Sequence, residues 1–278
     1  MVRMMLAREQ HRTHHHLWHF VRNRTNWEGL SGESRSRLTQ AGWAPPRFEE
    51  EPGAGLDFLG MHRQMIAMTD AAMAQAGDPT WPRVKGWDPI PWAEDNPDWP
   101  VPDWQTQRPP WASAEQWARY TEIAHQARSP ERVAQMRSAA TLLRDPNRLR
   151  SMTLDELGST MEWSIHGWMH IRWSGSPHGE EFSPDANNNW LFVPWSSHVN
   201  KHFWKLHGWI DERIGDWERA RGDVADLSDA WAGPAGTLPD MPHSADAELL
   251  TALPPREEMP LPMETRQPVV EGLLGGKP

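Results

Sequence analysis

Cysteine is absent from the 278-residue chain. That excludes a disulfide, a zinc ribbon, an iron–sulfur cluster, a thiolate-bound haem and a cysteine nucleophile, so any metal must sit on nitrogen or oxygen. Lysine is nearly absent too, at Lys85, Lys201, Lys205 and Lys277 only, and the net charge is −10. A strongly acidic balance argues against nucleic acid or an anionic membrane as a partner. No apolar run reaches the roughly 18 residues a spanning helix needs, and the opening Met-Leu stretch is too brief for a secretory signal, so the expected location is the cytoplasm. A P-loop, a dinucleotide fingerprint and a nucleophile elbow are all missing.

Two residue types are abundant instead: 19 Trp beside the single Tyr120, and 14 His. Five of those His, at 11, 14, 15, 16 and 19, fall in one short stretch. Met4 to Arg24 contains neither Pro nor Gly and reads as helix. A second helix is expected from an Asp57 N-cap through Phe58, Met61, Met65 and Met73 to a stop at Gly77, with His62 one turn inside. Between Pro79 and Pro110 repeated proline forbids helix and central strand, while tryptophans recur from Trp81 to Trp111. Rings at that density need a surface to cover, so residues 79–111 are expected to form an irregular arm on a helical body and one wall of a cleft.

Capping boxes at Ser113-x-x-Gln116 and Thr153-x-x-Glu156 open helices to about Arg128 and about Trp173, and Ser129-Pro130 starts another to about Arg144. Ser196 or Ser197 is expected to cap a helix running to Arg221, stopped by Gly222. The expectation is a mostly α protein: a single helical domain over residues 1–232, then an acidic, Pro-rich extended tail over 233–278.

His166 and His170, four residues apart, lie on one helix face about 6 Å apart along the axis, where both rings can reach one ion. Such a pair is also common on helix surfaces, but Trp163, Ile165, Trp168, Met169, Ile171 and Trp173 leave this helix almost no solvated face. A helix buried all round keeps its His only if something satisfies the ring nitrogens. The following helix offers His207, and Asp211 one turn on is placed to accept the second ring N–H of a metal-bound imidazole. Read by itself, Asp211 could equally begin a solvated acidic face with Glu212.

Phe203-Trp-x-x-His207-x-x-x-Asp211, with Trp217 beyond, resembles the second copper-site signature of the tyrosinase and hemocyanin superfamily of type-3 copper proteins. His166 to His170 is similar to the segment carrying that site's first two ligands, and Phe58-x-x-Met61-His62-Arg63 to the one carrying the last ligand of the first site. The matched segments cover about forty residues in the family's order. Residue 53 is Gly where the family has a further His, so the other first-site ligands must come from the N-terminal cluster. His15 and His19 repeat the spacing of His166 and His170, with His11/His15 and His16/His19 as alternatives. Gly167 stands where the family often has an Asn that helps deprotonate a phenol, which favours a tailoring oxidase over a pigment-forming tyrosinase.

The resemblance implies a helix bundle around two copper ions, with His15, His19 and His62 at one and His166, His170 and His207 at the other. All-imidazole ligation suits copper, zinc or nickel, whereas helical di-iron sites use several Glu and paired Glu-x-x-His motifs, of which only Glu122 to His125 occurs here. The implied activity is O2-dependent oxidation or monooxygenation of a phenol, catechol, o-aminophenol or related small aromatic, with an accessory protein as a conceivable copper donor. Two other readings remain open: an O2 or copper carrier without turnover, and a mononuclear enzyme or zinc hydrolase using His166, His170 and His207 alone. His178, His198, His202 and His243 are expected on loops or surfaces, with His198 and His202 in reserve as ligands, and His125 is expected to be an ordinary helix histidine.

Overall fold

The structure is a computed structural model that describes residues 2–6, 8–77, 83–104, 107–110, 112–175, 190–192, 197–234 and 253. Among these residues it is mostly α, with no strand. The helices are α1 (Val2–Leu6), α2 (Glu9–Arg22), α3 (Arg24–Gly29), α4 (Gly32–Gln40), α5 (Ala54–Ala76), α6 (Ala114–Arg128), α7 (Pro130–Leu142), α8 (Pro146–Ser151), α9 (Leu154–Met161), α10 (Gly167–Arg172) and α11 (Lys201–Arg221). None is long and apolar enough to cross a membrane. The Pro-rich tail lies outside the described residues except for 233–234 and 253, as do most of the 175–189 loop, His178 and His243.

Local sequence signals account for many boundaries. Both capping boxes form, Ser113 with Gln116 and Thr153 with Glu156, each pair satisfying two of the N–H groups that a helix start leaves unpaired. Gly77 and Gly222 end α5 and α11 at φ +70°, a left-handed turn that glycine adopts without a Cβ penalty. Other boundaries differ from expectation. The first helix breaks at Arg8, which is extended, giving α1 and α2. α11 begins later than Ser197, because the Asn200 side chain accepts from His202 N and caps it. Asp57 is buried within α5 rather than at its start: it accepts from Trp231 N at 2.7 Å and pairs with Arg47 at 3.1 Å.

The start of α5 is capped from another helix. Asp155 of α9 accepts from the backbone N–H of Gly53 and Gly55, each at 2.8 Å. The two backbones touch at Gly55 and Gly158, where a Cβ on either residue would collide with the other chain segment. This contact brings α5, which carries His62, against the helix that leads to His166.

Between α9 and α10 the backbone winds as a π-helix over Glu162–His166. One such turn inserts an extra residue per turn and re-aims the side chains beyond it; π turns recur at functional sites. The helix expected from Thr153 to Trp173 is therefore continuous in direction but shifted in phase just before the first of its two His.

The described part of the arm, 83–104 and 107–110, is non-helical and packs onto the body. Trp87 lies 4.4 Å from Trp173 and meets Trp99 edge-on at 5.4 Å, and buried Arg172 donates to Trp92 O at 2.9 Å. Trp104 joins a second aromatic cluster with Trp117, Trp190 and Phe192. Where the arm crosses α11, Gly86 and Gly208 meet backbone to backbone, one residue from His207.

Candidate metal centre

Four helices deliver six imidazoles to one place. His15 and His19 come from α2, His62 from α5, His166 and His170 from the end of the π turn and α10, and His207 from α11. His15, His62, His166 and His207 are buried, His62 and His207 completely, while His19 and His170 are half-buried. Adjacent rings lie 4.7 to 5.9 Å apart between centroids, His62 stacking on His207 and His19 on His166.

The tautomers follow from the partners. A carbonyl oxygen can only accept, so His62 Nδ1 donates to Phe58 O at 2.7 Å, His207 Nδ1 to Phe203 O at 2.7 Å and His170 Nδ1 to Leu191 O at 3.0 Å. Each of these rings then carries a bare lone pair on Nε2. For His62 and His170 that atom is buried without a hydrogen-bond partner. The other Nε2 atoms pair with one another: His207 Nε2 accepts from His166 Nε2 at 3.2 Å, and His15 Nε2 and His19 Nε2 share a hydrogen bond at 3.1 Å.

Converging lone pairs in a dry interior repel one another and forfeit hydrogen bonds, unless a cation sits among them. Three triads bring one nitrogen per ring within 4.8 Å of one another: His15/His62/His207, His19/His62/His166 and His166/His170/His207. Ligands about 2.0–2.1 Å from a tetrahedral ion are roughly 3.4 Å apart, so modest ring rotations suffice. The triads contain no carboxylate, and these buried histidine clusters could hold metal ions through neutral nitrogen.

Electrostatics keep the rings neutral. Burial pushes His62 down to about 3 and His170 to about 4, and it lowers His15, His19, His166 and His207 well below the usual histidine range. Neighbouring imidazoles push in the same direction for most of them, and the Arg22 guanidinium does so for His19 and His62. An uncharged imidazole is the form that ligates a metal.

The expected grouping is only partly reproduced. His166, His170 and His207 form one of the compact triads, whereas His15, His19 and His62 do not. The reason is His62, whose ring stacks on His207 at 4.9 Å and so stands between the two halves. Among the described residues Asp211 makes no hydrogen bond to a histidine: it accepts from Arg63 Nε at 2.8 Å, and His207 Nδ1 is held by the Phe203 carbonyl instead. The described residues of the arm make no ring contact with these six histidines. Ring contacts to the six histidines come from Trp18, Phe58 and Phe203, while the arm's Trp87 and Trp99 face His202.

Two features escaped the sequence reading. His198, expected on a loop or surface, lies in a turn but is buried with its ring 5.0 Å from His15. His202 is buried too, beside Trp173, with Nδ1 2.9 Å from Asn200 Oδ1; the i, i+4 spacing of the two was the available signal. Arg22, also buried, pairs with Glu162 of the π turn at 2.9 Å, donates to Ala54 O at 2.8 Å and covers the Trp18 ring at 3.9 Å. It thereby ties α2, α5 and the π turn together, and nothing in local sequence announces a pair 140 residues apart. No protein-family model matches the chain, and no curated protein matches it either.

Proposed function

We propose that the six histidines hold two copper ions, and that the protein uses O2 to oxidise a small aromatic such as an o-diphenol or o-aminophenol. His15, His19 and His62 serve one ion and His166, His170 and His207 the other, with the His62 ring turning toward α2 on loading. The observation that carries this reading is the tethering of His62, His170 and His207 through Nδ1 to backbone carbonyls, which leaves Nε2 lone pairs converging where no carboxylate joins them. Neutral imidazole in that number suits copper better than iron, and the similarity of these segments to the type-3 copper signature points the same way.

Bound as a pair, Cu(I) ions supply two electrons to O2. The chain's own part is to hold six neutral rings, fix their tautomers and exclude water, with Trp18, Phe58 and Phe203 lining the centre. Oxidation of an o-diphenol to the quinone releases two electrons and two protons, so two diphenols balance one O2 reduced to two waters. Anaerobic loading with Cu(I), admission of air and then assay with o-diphenols and o-aminophenols tests this function, O2 uptake coupled to quinone or imine formation being the expected result.

The burial of the centre favours one second reading, a copper or O2 carrier without turnover. Copper loading and reversible O2 uptake with no product from any aromatic would establish that reading instead.

A further inference from the structure

Next to the centre lies a cavity lined by His11, His14 and His198 and by Met61, Met65 and Met68, and it reaches His15. The three methionines recur at helical spacing along one side of α5, and Met61 immediately precedes His62. The lining runs inward: His11 and Met68 are half-buried, whereas Met61, Met65, His14 and His198 are buried. Two ring nitrogens here lack partners. His14 donates from Nε2 to Ala232 O at 2.8 Å, which leaves Nδ1 as a buried acceptor with nothing to accept, and His198 Nδ1 is likewise buried and unpaired.

A methionine stripe alone is ordinary core, since thioethers fill irregular space well. Orphaned imidazole nitrogens in the same cavity are not ordinary core, because each forfeits a hydrogen bond. Thioether sulfur together with neutral imidazole is a soft donor set that suits Cu(I) and is poor for Mg²⁺ or Ca²⁺.

We propose that this cavity is a Cu(I) relay site: Met68, Met65 and His11 take up the ion near the surface, and Met61 with His198 pass it to His15 of the six-histidine centre. The proposal rests on the copper reading of that centre. The step is ligand exchange alone: thioether and imidazole bonds to Cu(I) are replaced by imidazole bonds, copper stays Cu(I), and no proton or electron moves.

The test is transfer of Cu(I) from its coloured bicinchoninate complex to the metal-free protein, followed by stopped flow, with final copper content measured alongside. Met65→Leu with Met68→Leu keeps volume and apolarity, so fold and final copper content are expected to be unchanged while uptake slows about tenfold. A His62→Ala, His207→Ala protein, in which no three-histidine set of the centre is complete and the ion stays in the cavity, should show copper–sulfur scattering by X-ray absorption when given one equivalent of Cu(I), lost on adding the two methionine substitutions. Uptake unchanged in the methionine variant, or the absence of copper–sulfur scattering, overturns the relay. The two readings fail separately. Two coppers per chain without a methionine effect removes the relay and leaves the centre; copper–sulfur scattering in a protein that never holds two coppers removes the paired centre, and with it the relay's destination, and leaves only a Cu(I)-binding cavity.

Discussion

Arg22 and Glu162 form an ion pair at 2.9 Å with the arginine wholly buried, and the pair joins the helix that carries His15 and His19 to the π turn that ends at His166. Removing one partner strands a buried charge, which costs about 3–5 kcal/mol. Glu162→Gln should therefore lower unfolding free energy by that order in urea melts and weaken copper binding about 10- to 100-fold, as loss of a group that positions ligands does. Arg22→Met with Glu162→Leu should recover much of the stability but not the copper affinity, which a double-mutant cycle resolves.

The depressed histidines set a pH dependence of the metal-free protein. Their folded pKa values lie below the unfolded value of about 6.5, His62 at about 3 and His170 at about 4. Stability is then fully present above about pH 6.5 and falls as pH drops toward those folded values, because only the unfolded chain takes up the protons. His62 and His170 each cost about 2 kcal/mol at pH 5, and the other lowered rings act in the same direction. The metal-free protein is therefore expected to lose stability as pH falls below about 6, seen as loss of near-ultraviolet circular dichroism. A midpoint near pH 3, where exposed-histidine proteins also fail, would mean that the rings are not buried together.

Since Asp211 holds Arg63 and both side chains are about a third exposed, Asp211→Asn should cost no more than about 1 kcal/mol. Copper affinity should stay within the error of a competition titration. A loss of 10- to 100-fold would instead make Asp211 an orienter of a bound imidazole.

The capping boxes, the terminal glycines and the i, i+4 histidine pairs were legible because each is a local pattern with a local cause. Sequence separation hid the rest. The π turn over Glu162–His166 leaves the apolar pattern of the helix nearly intact, so only backbone geometry reveals its change of phase. His198 looked like loop because its burial is decided by His15 and Phe203, from a distant and a nearby helix. Asp211 shares a helix side with His207, but Arg63 of α5 meets that side first and offers it a charge, which a neutral imidazole cannot. His62 lies among the other rings, and its stacking on His207 depends on how α5 crosses α11, which no spacing encodes.

The most direct measurement is copper content together with the electronic spectrum after anaerobic Cu(I) loading and admission of air, on the wild type and on His15→Ala, His62→Ala and His207→Ala. Two coppers per wild-type chain with an intense near-ultraviolet band, and loss of that band in every variant, is the expected result. One metal per chain that survives His15→Ala, or no copper at all, would contradict a paired centre built from these six rings.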